Sequence, residues 1–386
     1  MLRLTLILSL KLFRESLALP LVTSMSIVLI TGFPGFVGSE LLTRVLERSP
    51  EHRAVCLIQS KFTAQARARL DHIEAEHPDL RGRIELTVGD ITEPGLGLDD
   101  VSRLKEQTSE IFHLAAIYDL TVPREVAMRV NVVGTRNVLD FAEALPRLDR
   151  LQYVSTCYVS GRCAGEFSED DLDRGQSFNN YYEETKYLAE VALQASMRGG
   201  LPATIYRPAI VVGDSRTGAT QKYDGPYFVI RWLLRQPFIS VLPVVGKPAL
   251  TRVNLVPRDF VVDAISYLSR LETSVGKVYH LADPDPLTVS ELLAVVGRAT
   301  RRKVVRVPVP RAAAKFAIDF VPGVHWLMQI PSPAIDYFVH PTHYRCDNTM
   351  ADLKGSGLTV PAFPTYVDRL VDFVRSHPNI GSRPMA

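Results

Sequence analysis

The chain has 386 residues, with 44 Lys and Arg against 42 Asp and Glu and a formal net charge of +2 at pH 7. Hydrophobic residues make up 46% and charged residues 22%, which are ordinary values that exclude the disordered and fibrous classes. The balanced charge argues against a nucleic-acid partner, and the four cysteines lack the spacing of a metal site or a disulfide framework. We therefore expect a globular cytoplasmic protein with reduced thiols and no metal.

Residues 1–24 form a leucine-rich N-terminal extension. Its leucine-rich run Leu4–Leu10 has seven residues, far fewer than the ~20 that cross a bilayer. Met25 stands directly before the first predicted strand, which favours Met25 as the true start of the protein. A short amphipathic membrane anchor is the alternative. In both cases we expect no transmembrane span, while peripheral contact with a membrane stays open.

The following part of the chain alternates between apolar β-rich runs and segments with helical spacing. The predicted strands cover 26–32, 54–59, 83–90, 110–116, 151–156 and 203–213, and the predicted helices cover 38–48, 64–75, 126–145 and 182–197. Short connections between such elements require right-handed parallel crossovers. The alternation predicts an α/β fold with a doubly wound parallel (Rossmann) sheet.

This alternation ends after Gly213. Residues 214–226 are rich in turn residues and predict a loop over the active site. The remaining predicted elements are a helix over 227–234, a helix within 255–271 that is entered at Pro257, a strand over 277–283 and a helix that begins at Thr288, which has capping-box spacing to Glu291. A final helix is predicted near 366–374.

The change of pattern divides the chain into two predicted domains. We assign residues 25–213 to a cofactor-binding domain, with 250–283 returning to it. Residues 214–249 and 284–386 are assigned to a smaller, irregular substrate-binding lobe, because this part is rich in Pro and lacks regular alternation.

Three glycines, Gly32, Gly35 and Gly38, lie between the first predicted strand and the first predicted helix. Glycine permits a tight turn there and lets the backbone approach a pyrophosphate, while the helix N-terminus offers unpaired N–H groups. This context predicts a dinucleotide-binding loop. The predicted cofactor-binding residues of the loop are Gly32, Phe33, Gly35, Phe36, Val37 and Gly38.

The end of the second predicted strand bears on the choice of cofactor. An NAD site usually places an acidic residue there, about 20 residues past the glycines, to bind the ribose 2′-hydroxyl. This chain has Gln59 at that place and no acid. Lys61, Arg67 and Arg69 could face a 2′-phosphate, or they could belong to a solvated helix face. We predict NADP with NAD as the alternative, and we expect Asp90 to accept from the adenine amine, unless it is a loop or capping carboxylate.

Tyr182 and Lys186 are four residues apart and therefore share one face of a predicted helix. A buried ammonium beside a phenol favours the phenolate, so we expect Lys186 to lower the pKa of Tyr182 from ~10. Tyr182 then exchanges a proton with a carbonyl oxygen, and Lys186 hydrogen-bonds the nicotinamide ribose. Thr156, just past the fifth predicted strand, offers a hydroxyl to the same oxygen, with Ser155 as the alternative.

These motifs together resemble the extended short-chain dehydrogenase/reductase superfamily. The resemblance runs through TGFPGFVG, GDIT, HLAA, NVVGTRNVL, STCYVSG and YRPAIVVG, and it covers residues 26 to about 290. It implies that Thr156, Tyr182 and Lys186 are the catalytic triad and that Asn131 is a structural residue of the site. The cofactor-binding residues that the resemblance adds are Ile91, Ala115 and Pro208.

The chain is more closely similar to the thioester-reductase and fatty acyl-CoA reductase branch, the male-sterility type, through HLAAIYDL, STCYVSGRCAGEFSEDDL and VVGDSRTGATQKYDGPYF. One departure is Ile58-Gln59, where that branch often has Val-Arg. The resemblance implies NAD(P)H-dependent reduction of a small-molecule acyl thioester, on coenzyme A or a carrier protein, to an aldehyde or alcohol. A homodimer formed through the long helices beside the sheet is common in the superfamily.

Other interpretations of the same residues stay open. A nucleotide-sugar epimerase or dehydratase, or a hydroxysteroid- or flavonoid-type dehydrogenase, uses the same scaffold. A redox-sensing binding protein would keep the cofactor fold without turnover, although it has no need of an intact Thr/Tyr/Lys set. In the lobe, the apolar stretch 312–331 is broken by Asp319 and Pro322 and predicts a buried core, with an acyl tunnel or a bilayer contact as the alternatives.

Overall fold

A seven-stranded parallel sheet forms the centre of the computed structural model, which describes residues 26–322 and 331–381. The strands of these residues are β1 (Ser26–Thr31), β2 (His52–Ile58), β3 (Ile84–Val88), β4 (Thr108–His113), β5 (Arg150–Val154), β6 (Gly165–Phe167), β7 (Ala203–Pro208), β8 (Ile210–Val212), β9 (Ile239–Val244), β10 (Leu255–Pro257), β11 (Val278–Leu281), β12 (Lys303–Pro308) and β13 (Thr342–Tyr344). The α-helices are α1 (Phe36–Arg48), α2 (Thr63–Glu76), α3 (Ser102–Gln107), α4 (Arg124–Ala127), α5 (Gly134–Glu143), α6 (Tyr181–Arg198), α7 (Pro226–Leu234), α8 (Arg258–Leu268), α9 (Val289–Ala299), α10 (Arg311–Phe320), α11 (Asp347–Asp352) and α12 (Val367–Ser376).

The strand order of the main sheet is β11-β7-β5-β4-β1-β2-β3, and every neighbouring pair is parallel. In this register Leu29 of β1 lies opposite Val55 of β2 and Ile111 of β4. The order reverses between β1 and β4, which is the topological switch point where open α/β sheets bind ligands. The predicted doubly wound fold is confirmed.

Successive side chains of β1 enter two different cores, because a strand alternates its faces. Val28 packs in a cluster with Leu41 of α1, and Leu29 packs in a cluster with Val138 of α5 and Leu193 of α6. All five side chains are buried. Burying an aliphatic side chain of this size contributes about 1.5–3 kcal/mol, so helices on both faces stabilise the sheet that carries the site.

One predicted strand is divided in the structure, because the chain changes its pairing partner within it. The predicted strand 203–213 is split after Pro208, because β7 stays in the main sheet while β8 pairs with β10. The helix predicted to be entered at Pro257 is present, with Pro257 as its N-cap and Arg258 as its first residue, and the residues before it form β10. The segment 203–213 is mostly apolar on both sides of Pro208, so its residue pattern does not show the change of partner.

The predicted helix 126–145 is present but interrupted. It begins at Arg124, passes through a π-helical segment at Met128–Val133 and continues as α5. A π-helical turn inserts a residue and rotates the side chains that follow, and such turns are frequent at functional sites. Asn131 lies inside this turn and is buried.

Smaller parallel pairs, β8–β10, β9–β12 and β6–β13, lie outside the main sheet, and none of them is predicted as such from the sequence. A second core holds Leu233 of α7, Leu292 of α9 and Leu370 of α12. The capping box at Thr288 and Glu291 is confirmed by reciprocal hydrogen bonds at the start of α9. The division of the chain into two domains stays a prediction.

Buried Glu169 joins the segment after β13 to the main sheet. Its carboxylate accepts hydrogen bonds from the His280 N–H at 2.9 Å, the Asn348 N–H at 2.5 Å and the N–H and hydroxyl of Thr349 at 3.0 and 2.9 Å. Burial raises the pKa of Glu169, although these donors act in the opposite direction. One carboxylate thus connects the loop after β6, strand β11 and helix α11.

The N-terminal extension 1–24 and residues 323–330 of the apolar stretch 312–331 lie outside the described residues. The described part of that stretch includes α10, on which Phe316 and Phe320 are exposed and Ile318 is buried. Among residues 26–322 and 331–381, no helix has the length and apolar character to cross a membrane.

Candidate active site

The glycine loop connects β1 to α1 and needs glycine at two of its three positions. Gly32 has φ +92°, and a Cβ there would lie 2.9 Å from the Ala115 nitrogen at the end of β4. A Cβ on Gly38 would lie 2.7 Å from the Gly32 carbonyl oxygen. Gly35 precedes α1 and offers no side-chain cap, so the first N–H groups of this helix have no side-chain partner there. This donor set fits a pyrophosphate.

The other predicted loop residues differ in exposure. Phe33 is 4% exposed and belongs to the core beside α1, while Phe36 and Val37 are half-buried in the first turn of α1. The Arg258 guanidinium of α8 lies 4.7 Å from the centre of the Phe36 ring. The Phe33 side chain therefore packs in the hydrophobic core and is not available to a ligand.

Asp90 lies at the C-terminal end of the sheet beside Gln59, as expected for two neighbouring parallel strands. Its carboxylate accepts from the Gln59 amide at 2.8 Å and from the Thr92 N–H at 2.8 Å. Burial alone would raise the pKa of Asp90, but these hydrogen bonds lower it overall. The next residue, Ile91, packs against Gly134, where a Cβ would lie 2.8 Å from the Ile91 side chain.

The basic residues considered for a 2′-phosphate are not brought together. Lys61 is exposed, with its ammonium 5.0 Å from the centre of the Phe62 ring. Arg69 of α2 instead forms an ion pair with Glu40 of α1 at 2.8 Å. Arg67 is exposed on α2. The choice between NADP and NAD stays a prediction.

Thr156 and Ser155 follow β5 but point to different partners. The Thr156 hydroxyl accepts from the Tyr158 N–H at 3.3 Å and donates to the Pro208 carbonyl at 3.4 Å. The Ser155 hydroxyl donates to the buried carboxylate of Glu190. Ser155 is thus engaged in the core, and Thr156 is the hydroxyl that lies beside the end of β7.

Tyr182 and Lys186 lie in the first turns of α6, which begins after Asn180. The Asn180 side chain accepts from the Glu183 N–H at 3.0 Å and caps the helix. The Tyr182 hydroxyl interacts with the Thr156 side chain, and this contact lowers the pKa of Tyr182, although burial is the larger effect and raises it overall. The structure therefore brings the three predicted catalytic residues to one place.

The Lys186 side chain forms hydrogen bonds with two residues of β5 that lie far from it in sequence. Its ammonium donates to the Tyr153 hydroxyl at 2.9 Å and to the Val154 carbonyl at 2.9 Å. Burial lowers the pKa of Lys186 to about 7, although Glu190 acts to raise it. The expectation that Lys186 lowers the pKa of Tyr182 is not met in this geometry, because burial outweighs any attraction between the ammonium and the phenolate.

Asn131 fixes the segment that follows β4 against α6. Its side-chain oxygen accepts from the Ile117 N–H at 2.8 Å, and its amide donates to the Thr185 hydroxyl at 3.0 Å. Thr185 lies between Tyr182 and Lys186 on α6. Because both ends of the Asn131 amide are used, the π-helical turn, the segment after β4 and α6 are held at a fixed distance.

Sequence inspection missed several residues around Tyr182. The Tyr118 ring meets the Tyr182 ring edge-on, with the centres 4.9 Å apart, and the Lys222 ammonium lies 4.1 Å from the centre of the Tyr118 ring. Lys222 also pairs with Asp224 at 2.9 Å. The sequence marks both HLAAIYDL and the loop 214–226 as segments of interest. Neither segment by itself indicates that Tyr118 and Lys222 are in contact.

His113 and Cys157 have structural roles. His113 is buried, and its two ring nitrogens contact the hydroxyls of Thr31 at 2.7 Å and Thr135 at 3.2 Å. Burial, with a smaller effect of Lys186, lowers its pKa to about 3. Burial raises the pKa of the Cys157 thiol, so this cysteine, although next to Thr156, is a poor nucleophile.

Residues 30–265 match the family described as male sterility protein, an NAD-binding family. That match covers more than half of the chain. The chain belongs to this family. Its membership of the extended short-chain dehydrogenase/reductase superfamily, in the thioester-reductase branch, is thereby confirmed, and so is the prediction of a nicotinamide-dependent oxidoreductase.

Relatives of known type agree with this assignment. The chain is 30% identical over 274 residues to the non-canonical nonribosomal peptide synthetase cpsA of Aspergillus campestris, covering 66% of this chain and 25% of that protein. It is 30% identical over 289 residues to the aldehyde reductase lnaA of Aspergillus flavus, covering 70% of this chain and 27% of that protein. The chain thus spans about a quarter of the length of these relatives.

A solved structure extends the similarity over nearly the whole chain. The terminal R domain from the myxalamid PKS-NRPS biosynthetic pathway is 26% identical, with a TM-score of 0.78, and the match covers 95% of this chain and 94% of that one. The fold described above is therefore that of a reductase domain, including the irregular C-terminal part.

Proposed function

We propose that this protein is an NADPH-dependent reductase of acyl thioesters, with Tyr182 as proton donor and Thr156 and Lys186 as its partners. The observation that carries the proposal is the meeting of these side chains at the C-terminal end of β5, in a chain of the male sterility family. The relatives point to the same chemistry, since one is named as an aldehyde reductase and another is a reductase domain.

The raised pKa of Tyr182 suits the direction of reduction. A buried phenol with a raised pKa is protonated at neutral pH and can donate to a carbonyl oxygen that gains negative charge. The Thr156 hydroxyl stands beside Tyr182 and donates a second hydrogen bond to the same oxygen. Lys186, held by Tyr153 and Val154, lies one turn along the helix from Tyr182.

The overall step is balanced without a cysteine nucleophile. When bound, NADPH would supply the hydride to the carbonyl carbon. Tyr182 gives its proton to the carbonyl oxygen, and the product of this addition is a hemithioacetal. Its C–S bond then breaks, the hydroxyl proton returns to Tyr182, and the thiolate takes a proton from solvent, leaving an aldehyde and a free thiol. A second reduction of the aldehyde would give the alcohol.

We propose NADP over NAD because the end of β2 carries Gln59 instead of an acid, and the Gln59 amide is already bonded to Asp90. A carboxylate at the end of β2 would repel a 2′-phosphate, and this chain has none there. Lys61 is exposed on the turn after β2, and we propose that it faces this phosphate. A cytoplasmic location and a homodimer stay predictions.

The test is oxidation of reduced nicotinamide by the purified protein starting at Met25. Palmitoyl-CoA, a long-chain aldehyde and a UDP-sugar are offered separately, and each assay is repeated with Tyr182→Phe. We expect turnover with the thioester, and a loss of about 10²–10⁴-fold in kcat for Tyr182→Phe at unchanged melting temperature, because only the proton donor is removed.

Two outcomes would count against the proposal. Turnover with the aldehyde alone would make the protein a carbonyl reductase. No turnover with any substrate, together with NAD that co-purifies with the protein, would favour an epimerase of the same superfamily. A Tyr187→Phe variant serves as the control, since Tyr187 lies on the same helix and its ring packs on Phe178.

A further inference from the structure

Strands β9 and β12 form a two-stranded parallel sheet that takes no part in the reaction described above. Successive residues of a strand point to opposite faces, and residues paired in a parallel register share a face. One face packs on the second core through Leu242, Val244 and Val304. The pairs on the other face are Ile239 with Lys303, Val241 with Val305 and Pro243 with Val307.

The face that points away from the core is apolar and exposed, and we call it the outer patch. Its exposed aliphatic side chains are Ile239, Val241, Val305 and Val307, each between 42% and 57% exposed. Phe238, directly before β9, is 66% exposed. Single exposed apolar side chains are ordinary on a protein surface, whereas a group of neighbouring ones marks a binding surface.

Helix α10 carries a second exposed apolar group shortly after β12. The Val309 N–H donates to the Val244 carbonyl at 2.9 Å, which extends the pairing almost to the start of this helix. Phe316 and Phe320 are 61% and 71% exposed, and their ring centres are 5.2 Å apart. Ile318, between them in the sequence, is buried. Exposed apolar side chains thus continue from β12 into the next element.

The two segments that contain these side chains are basic. Residues 225–258 and 292–318 hold 12 Lys and Arg and no Asp or Glu, although the net charge of the whole chain is only +2. Some of these cations pair with acids of other segments. Arg301, Lys303 and Arg306, before and within β12, are exposed and form no ion pair with a described residue. The outer patch therefore combines apolar side chains with positive charge that no acid neutralises.

This charge decides which occupant fits the outer patch. A second copy of the chain in a symmetric contact would bring the same cations against each other. Among the described strands β12 pairs with β9 alone, and its open edge carries Lys303, Arg306 and Pro308, residue types that prevent another strand from pairing. Protein interfaces are also poor in Lys. Aliphatic and aromatic side chains beside cations are typical of surfaces that lie in the headgroup region of an anionic bilayer.

We propose that the outer patch binds the surface of a bilayer that contains anionic phospholipids. The aliphatic side chains and Phe238 enter the boundary between headgroups and acyl chains, and Arg301, Lys303 and Arg306 contact the lipid phosphates. The contact is peripheral, through side chains of a sheet and not through a spanning helix. The proposal does not rest on the thioester reductase function, because lipid binding of this kind needs neither cofactor nor substrate.

The test is co-sedimentation of the full chain with vesicles of phosphatidylcholine alone and of phosphatidylcholine mixed with phosphatidylglycerol. We expect binding to the mixed vesicles, weaker binding to the neutral ones, and a decline with added salt, because salt screens the attraction. Val241→Ser/Val305→Ser and Lys303→Gln/Arg306→Gln should each lower the partition coefficient on mixed vesicles by about tenfold. The second variant should also lose most of the preference for anionic vesicles.

Two matched double variants serve as controls. Val126→Ser/Val275→Ser replaces valines that are 43% and 44% exposed at other places, and Arg136→Gln/Lys354→Gln replaces two exposed cations outside the basic segments. Both should bind vesicles as the unaltered protein does. All four variants change exposed side chains, so we expect unchanged melting temperatures, which show that a loss of binding is not a loss of folding.

Three outcomes would overturn the proposal. The first is no binding to either kind of vesicle. The second is equal binding by the test variants and the unaltered protein, which would place the contact elsewhere, as in residues 1–24. The third is binding of an acidic carrier protein, tested in parallel, that the test variants lose while vesicles are not bound, since the outer patch would then dock a protein. The reductase function is measured without vesicles and is unaffected by each of these results.

Discussion

At the scale of single residues, Thr156 and Ser155 show how neighbours in sequence acquire different roles. Alternate residues of an extended segment point to opposite sides. Ser155 therefore turns to Glu190 in the core, and Thr156 turns to Tyr182 and the end of β7. The sequence left both hydroxyls open as candidates, and only the position of Glu190 separates them.

The two hydroxyls are expected to respond differently to substitution. Thr156→Val keeps the shape but removes a hydrogen bond to the reacting oxygen, so we expect kcat to fall about 10²-fold or more, as for other oxyanion donors. Thr156→Ser should restore most of that loss. Ser155→Ala should keep kcat but lower the free energy of unfolding by about 1.5–3 kcal/mol, because Glu190 loses a donor.

Steady-state kinetics and urea unfolding of the three variants check this prediction. A large loss of kcat in Ser155→Ala at unchanged stability would reverse the two assignments. Equal kcat in Thr156→Val and the unaltered protein would remove Thr156 from the catalytic residues.

At the scale of elements, a buried ion pair connects α6 to β7. Arg207 and Glu190 are fully buried and 2.6 Å apart, and Arg207 also contacts His280 of β11 at 3.1 Å. Removing one member of such a pair leaves a buried charge without compensation and costs about 3–5 kcal/mol. The pair thus fixes the helix that carries Tyr182 and Lys186 to the strand that ends beside Thr156.

We expect Arg207→Met to lower the free energy of unfolding by about 3–5 kcal/mol, and the double variant Glu190→Leu/Arg207→Met to recover part of it, because no lone charge remains. Urea denaturation with unchanged m-value measures this. Arg103→Gln is the control, since its pair with Glu85 is exposed and should contribute less than about 1 kcal/mol. If the free energy of unfolding falls as little in Arg207→Met as in the control, the buried pair does not have the stabilising role that we assign to it.

At the scale of the whole molecule, α6 and the segment before β13 meet at Glu183. Its carboxylate accepts from the Asn179 N–H at 2.8 Å and hydrogen-bonds the Tyr337 hydroxyl. Burial raises the pKa of Glu183 from 4.5 to about 7, although these partners act to lower it. The folded protein therefore holds a proton on Glu183 at pH values where the unfolded chain has released it.

This raised pKa predicts how stability depends on pH. The stabilisation from protonated Glu183 is complete below about pH 4.5 and is lost as the pH rises through about 7. Glu183→Gln, which carries no such proton, should lack this part of the decline when unfolding is measured between those pH values. The neighbouring Glu184, paired with Arg124 at the surface, provides the control Glu184→Gln. Equal slopes in Glu183→Gln and the unaltered protein would refute the prediction.

The sequence predicted what depends on local spacing and missed what depends on distant contacts. The glycine loop, the shared face of Tyr182 and Lys186 and the capping box at Thr288 are set by neighbours within a few residues, and all are present. The contacts of Lys186 with Tyr153, and of Glu183 with Tyr337, depend on the register of strands and on the path of the lobe. The residue pattern of a single sequence does not predict these contacts, because they join segments that lie far apart in the chain.

The hydrogen bonds of Glu169 also bear on the order in which the protein can fold during translation. Glu169 is translated 180 residues before Thr349, and in the finished protein it accepts hydrogen bonds from the N–H and the hydroxyl of Thr349. While the nascent chain is shorter than this, the carboxylate lacks those donors, and its connection to α11 is incomplete. Six strands of the main sheet can assemble as they leave the ribosome, whereas β11 and the contacts of α11 with Glu169 wait for residues made much later.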